Sequence, residues 1–455
     1  MSMDKIFLQF AKGSPLPVMA RVAIEHATGA KFLDRIFADN AQRQFEGELL
    51  FSSLVRLMTL VACRVRPSVH SAFRKHGYEI GVSIQAVYDK LRKLEPQVTR
   101  ALVRDTAARL IGVAGRLNAD LEAPFPGYDN RVLDGSHLAA TEHRIGELRT
   151  VAAGPLPGLG LCVLDPARQM IVDFIPCEDG HAQERSMLEA IIDDLQPSQV
   201  WIADRNFCTA FLLWEIQANQ AHFVIREHSQ NVRWTPCGKE LGRGKTETGK
   251  VFEQPIEIHD DFGSRFAARR IRVVLKQPTR GADHEIAILT NLPSSTSAVQ
   301  VADGYRKRWT IETAFAVVQQ CLHGEISGLG YPPAALFSYA VALFAFNILS
   351  LLRAAMRAAH GGIKIEESFS THQMAEEIHA IWPGMMLLLS PSFWRRRFAD
   401  WSDAQIAKQL KRMAYDVNLA QYRKAARQTR HPPPKRTFHK NSPHISTARI
   451  LQQRK

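Results

Sequence analysis

The stretch "QVWIAD", residues 199–204, is a short apolar run that closes on an acid. Such a run reads as a strand buried on both faces, the kind that helices cover in an α/β sheet. A carboxylate at the end of such a strand faces the crevice where ligands bind. The neighbouring segments extend the pattern. "CTAFLLWEIQAN" (208–219) reads as a helix and "AHFVIRE" (221–227) as a further strand. On the other side, "HAQERSMLEAIIDDL" (181–195) reads as an amphipathic helix. "GLGLCVLDPARQMIVDFIP" (158–176) reads as two strands joined at "DPAR", and "RVLDGSHL" (131–138) as a strand ending at Asp134. A strand group followed by alternating helix and strand predicts an α/β core with a mixed sheet.

Composition shifts divide the rest. Residues 1–125 read as a helical, DNA-binding domain. Within it Ser83 stands as an N-cap, and Gln85, Tyr88, Lys90, Arg92 and Lys93 are candidates for gripping DNA. "APFPGYDN" (123–130) reads as a linker, with two prolines and a glycine. Residues 126–228 form the first part of the core. Residues 229–297 are polar and glycine-rich, then β-like in "RRIRVVLKQ" and "HEIAILTNL". They read as a β-rich insertion whose last strand can rejoin the core. Residues 298–355 return to helical texture and complete the core, and 356–422 read as a C-terminal helical region. The tail, 423–455, has ten Lys or Arg and no acid, and reads as a mobile segment suited to phosphates.

The chain of 455 residues carries 58 Lys plus Arg against 45 Asp plus Glu, a formal charge of +13. That excess favours a polyanionic partner. The six cysteines show no CxxC spacing and read as reduced, structural thiols. The N-terminus lacks a charged segment leading into an apolar one, so a cytoplasmic location is expected. Residues 334–352 are uncharged and close to bilayer-spanning length. They also contain Ser338, Tyr339, Asn347 and Ser350, which favours a buried core helix and no membrane.

Three acids carry the chemistry. Asp134 and Asp204 each close a predicted strand, and Glu312 lies in "GYRKRWTIETAF" (304–315), read as one helix after the insertion. At about 100° per residue, Tyr305, Arg308 and Glu312 share one face, while Ile311, Phe315, Val318 and Leu322 form an anchoring face. Two aspartates and a glutamate suit Mg²⁺, which takes a few carboxylates along with water and phosphate oxygens. A pair of such ions clamps the attacking and leaving oxygens of a phosphodiester. Arg308 can hold a phosphate beside them.

"DGS" (134–136), "IADRNF" (202–207) and "YRKRWTIETAF" (305–315) resemble the three motif regions of bacterial insertion-sequence DDE transposases. The resemblance is to the insertion sequence 4 family with its YREK motif. It implies an RNase H-like catalytic core with a β-rich insertion, flanked by helical N-terminal and C-terminal regions. The metal ligands and catalytic residues are then Asp134, Asp204 and Glu312, with Mg²⁺ as cofactor and Mn²⁺ able to replace it. Tyr305, Arg308, Trp309, Gln319, Arg205 and Lys307 become DNA-binding positions. The implied partners are double-stranded DNA, as terminal inverted repeats and target, and a second protomer in a paired-end complex. The implied activity is cleavage at the element's ends and strand transfer. An RNase H-like nuclease without strand transfer, or a catalytically silent DNA-binding derivative, are the alternatives. One position departs from the motif: where its lysine is due, this chain has Gln319, a donor without charge.

Overall fold

The computed structural model describes residues 2–45, 47–77, 80–260, 263–279, 281–398, 400–425 and 444–453. Seven helices come first: α1 (Met3–Gly13), α2 (Pro15–Ala27), α3 (Ala30–Asn40), α4 (Phe51–Ala62), α5 (Val69–His76), α6 (Ile84–Lys93) and α7 (Pro96–Leu117). Their starts follow local chemistry. Ser2, Ser68 and Ser83 each accept a backbone N–H three residues on. Pro15 and Pro96 open α2 and α7, where a missing N–H is harmless.

The chain then builds β1 (Asp129–His137), β2 (Pro155–Leu156), β3 (Leu159–Asp165), β4 (Met170–Cys177), α8 (Glu189–Ile192), β5 (Gln199–Ala203), α9 (Ala210–Ala218) and β6 (His222–Arg226). Next come β7 (Arg233–Pro236), β8 (Leu241–Lys245), β9 (Gly249–His259), β10 (Arg265–Leu275) and β11 (Glu285–Thr290). The helices α10 (Ala298–Arg306), α11 (Trp309–Gln320), α12 (Pro332–His360), α13 (Gly362–Ser368), α14 (Thr371–Leu388), α15 (Pro391–Phe398) and α16 (Asp403–Tyr415) follow. β12 (Ile445–Ser446) and α17 (Thr447–Gln453) come last.

One sheet runs in the order β4-β3-β1-β5-β6-β11-β10-β9-β7, with β8 also on β9. β1, β3 and β4 are antiparallel neighbours, whereas β1–β5 and β5–β6 are parallel. Alternation along the strands feeds two cores. Val132, Val200, Ile202 and Val224 face the core shared with the helices. Leu133, Trp201, Ala203, Phe223 and Ile225 face the opposite core, under α8 and α9. Every residue of β5 is buried, as the opening motif requires.

Four sequence expectations are corrected here. Asp134 does not end its strand: β1 runs on to His137 against β3, while its parallel pairing with β5 stops at Leu133. The helix expected over 181–195 is shorter, a 3-10 turn at Glu184–Met187 and then α8. In the segment 229–297, β11 pairs with β6 and carries β10, β9 and β7 as an extension of the same sheet. The 123–130 linker is a packed turn. Asn130 closes it by accepting from Phe125 N–H and donating to the Phe125 and Tyr128 carbonyls. The tail is not mobile throughout. Residues 426–443 lie outside the described residues, but β12 pairs with β2 and Ile450 of α17 packs with Ile145 and Leu148.

The helical flanks form one body. Residues of α2, α4, α7, α12, α14 and α16 share a single core. At its centre lies α12, 29 residues long, whose most apolar window is fully buried. Its polar residues close gaps at the sheet's edge. Asn347 Oδ1 accepts from Ile171 N–H (2.8 Å) and its Nδ2 donates to the Ile171 carbonyl (2.7 Å). Ser350 donates to the Gln169 carbonyl at 2.6 Å. α12 thus takes the place of a strand that would otherwise pair with β4 at this point.

Candidate active site

β1, β5 and α11 bring the three acids to one end of the sheet. Asp134 lies on the same face of β1 as Ser136, whose hydroxyl meets Tyr339 of α12 at 2.8 Å. Asp204 follows β5 and caps the 3-10 turn Arg205–Phe207, accepting from Asn206 N–H at 2.8 Å. Glu312 stands in the first turn of α11.

α11 is not continuous with α10. The helix expected over 304–315 breaks at Lys307 and Arg308. Gly304 lets α10 approach the 123–130 turn, since a Cβ there would lie 2.3 Å from the Phe125 ring. The break turns Arg308 inward. Its Nη1 donates to Asp134 Oδ2 at 2.9 Å and its Nη2 to Glu312 Oε1 at 2.7 Å. Arg308 is 9% exposed, and its buried Nε has no hydrogen-bond partner in the structure. Among the described residues no three acids stand close enough to form a ready metal cage. Arg308 spans the space between two of them.

Burial sets the electrostatics, with neighbouring acids adding to it. Burial pushes the Asp134 carboxyl up to about 7 despite Arg308, and the charges of Asp204 and Glu184 add to the rise. Burial also raises Glu184, with Asp204 contributing. The Tyr305 phenol is pushed up to about 12 by burial, against the pull of Arg308. All the candidate donors are carboxylate oxygens, which suit a hard divalent cation, and the surplus negative charge around Asp134 is what such a cation relieves.

The other positions separate by exposure. Tyr305 is buried at 7% exposure, so it faces Arg308 rather than solvent. Trp309 is exposed at 56%, with the Arg308 guanidinium 5.5 Å from its ring centre. Arg205 and Lys307 are exposed at the rim. Gln319 is exposed, and its Nε2 donates to Glu325 Oε1 at 3.3 Å. In the N-terminal region, Lys90 is turned inward to the Leu49 carbonyl and over the Phe37 ring. Gln85 and Arg92 are both held by Asp89. Sequence reasoning missed Glu184, because an acid in a predicted amphipathic helix reads as a solvated face. The signal was Gly135, a glycine inside a strand.

R308A is expected to lower stability at pH 8 by about 1.5–3 kcal/mol, the usual worth of hydrogen bonds to charged groups. Urea unfolding at pH 5 should show a smaller loss, because Asp134 takes a proton there.

Residues 127–346 match the transposase DDE domain. The DDE match spans β1 through most of α12 and contains Asp134, Asp204, Glu312 and the strands between the last two. The chain is 28% identical to the putative transposase InsL for insertion sequence element IS186A of Escherichia coli strain K12. It is equally similar to the transposase for insertion sequence element IS421 of Escherichia coli. Each alignment runs over 195 residues and takes in 35% of this chain and 51% of the relative. The chain thus spans about half the length of the curated relatives it matches. The similarity is to DDE transposases of bacterial insertion sequences.

Proposed function

We propose that this chain is the transposase of a bacterial insertion sequence, of the insertion sequence 4 type. On this reading it cuts DNA at the element's ends and joins them to a target by phosphodiester displacement. The observation that carries the reading is Arg308, buried within the DDE match and bonded at once to Asp134 and Glu312. The order β4-β3-β1-β5-β6, antiparallel then parallel, supports an RNase H-like core.

Asp134, Asp204 and Glu312 would hold the divalent metal, which supplies the charge that activates the attacking oxygen and offsets the leaving one. The chain's own residues do the rest. Asp134, pushed up to about 7 by burial in the metal-free protein, would give up its proton on holding the cation. Arg308 would bring its positive charge beside a phosphate oxygen. Tyr305 backs Arg308 from the buried side. Trp309 offers an aromatic face to the DNA end, and Arg205 and Lys307 offset phosphate charge. Gln319 contributes a neutral donor where the motif has a cation, and Glu325 holds it. The N-terminal helices and the basic residues of 423–455 grip DNA outside the site. Two protomers act together on paired ends, on chromosomal DNA in the cytoplasm.

The test uses a labelled duplex carrying the sequences that flank the gene, a target plasmid, and Mg²⁺ or Mn²⁺. Cleavage followed by joining to the plasmid is expected, with binding that weakens steeply as salt rises. Cleavage without joining would mark a nuclease. Binding with no cleavage under either metal would mark a silent DNA-binding protein.

A further inference from the structure

The proposed chemistry leaves one neighbouring carboxylate, Glu184, without a role. It sits in the 3-10 turn Glu184–Met187, on the side of the sheet covered by α8 and α9. Its hydrogen-bond partner there is the Asn206 side-chain amide, 3.5 Å from Oε2. The same Asn206 donates its backbone N–H to Asp204. Glu184 and Asp204 are therefore linked through one residue.

Gly135 explains how Glu184 reaches the site. It lies inside β1, paired with Leu161, and its φ is not positive, so the backbone does not call for glycine. Glycine within a strand weakens it, and often marks a close approach. Here a Cβ would fall 1.9 Å from Glu184 Oε1 and 2.4 Å from its Cδ. The missing side chain lets a carboxylate from the opposite face lie against β1, next to Asp134. On the other face, Glu312 approaches from α11 and accepts from Arg308, whose buried Nε has no hydrogen-bond partner. The Asp134–Asp204 pair thus has an acid on each side. A divalent ion held by a few carboxylates keeps open positions that water fills, and a fourth carboxylate beside the pair can take one of them.

We infer that Glu184 is a fourth carboxylate ligand of the divalent metal that Asp134, Asp204 and Glu312 would hold. This rests on the metal-dependent reading proposed above. Its placement assigns Gly135 a positioning role, as the opening through which Glu184 reaches the metal.

The experiment is calorimetric titration of the full chain with Mn²⁺, without DNA, for wild type, E184Q, G135A, the double variant and D204N. E184Q is expected to weaken Mn²⁺ binding about tenfold or more. G135A should do the same, because its methyl displaces the end of a flexible side chain and not backbone. The double variant should be no weaker than either single one, since both remove the same contact. Metal-free unfolding midpoints of E184Q and G135A should stay near wild type. Wild-type Mn²⁺ affinity in E184Q, with D204N impaired, would overturn the role of Glu184 alone. Equal binding by wild type and D204N, or none by either, would overturn the metal-dependent reading along with it.

Discussion

Replacing Asp134 by asparagine is expected to stabilise the metal-free protein at pH 8 while abolishing DNA cleavage. Folding raises this carboxyl from near 4, its usual value, to about 7, chiefly by burial. The folded state therefore holds the proton more tightly than the unfolded chain. That favours folding fully below about pH 4, and the advantage is lost as pH rises through about 7. Asparagine never ionises and keeps the neutral shape. The gain at pH 8 is at most about 4 kcal/mol, from 1.36 kcal/mol per pH unit, and it should vanish near pH 4. Little solvent screening reduces it, since the side chain is 16% exposed. Cleavage should fall by about a thousandfold or more, because on the proposed reading a carboxylate that holds the metal is gone. Thermal melts of both proteins from pH 4 to 9 and a cleavage assay check the two halves. Parallel melting profiles would show that folding does not raise the Asp134 carboxyl.

Asn347→Leu should be the most damaging single change outside the site. Asn347 is fully buried, and its amide satisfies both the N–H and the carbonyl of Ile171. Leucine has the same heavy-atom branching but is bulkier and has no polar atoms, so both backbone groups would be buried without partners. Each such group costs about 1–3 kcal/mol, giving about 2–6 kcal/mol in all. Ser338 on the same helix is an internal control: it is 1% exposed and its hydroxyl has no partner. Urea unfolding should show N347L strongly destabilised and S338A close to wild type. Hydrogen exchange at the Ile171 amide should accelerate in N347L. Equal midpoints for the two variants would mean that Asn347 does not anchor β4.

Much of this architecture was legible in local pattern. Continuous apolar runs marked β5 and β6, and "DPAR" marked the β3–β4 turn, where Asp165 accepts from the Ala167 and Arg168 N–H groups. The uncharged stretch of α12 was readable as core because its polar residues are few and of kinds that can be satisfied indoors. What pattern did not reveal depends on contacts distant in sequence. The break at Lys307 and Arg308 leaves the helical spacing of "GYRKRWTIETAF" nearly intact, yet it turns Arg308 toward an acid 174 positions away. Lys90 looked like a DNA-facing cation but is engaged by Leu49 and Phe37. The basic composition of the tail hid Arg449, which pairs with Asp179 at 2.8 Å and helps dock α17. Glu184 entered the site only because Gly135, on another element, lacks a side chain.

The central helix also sets an order of assembly. α12 packs against α4 and α7, which precede it in the chain, and against α16, which follows. As the polypeptide leaves the ribosome, this long apolar helix emerges with part of its cover already made and the rest still unsynthesised. A chain cut after residue 360 would retain every residue of the proposed site, yet leave the α16-facing side of that helix bare. The acids near the middle of the sequence are thus hostage to its last helices, and a shortened product would aggregate rather than act as a free-standing nuclease.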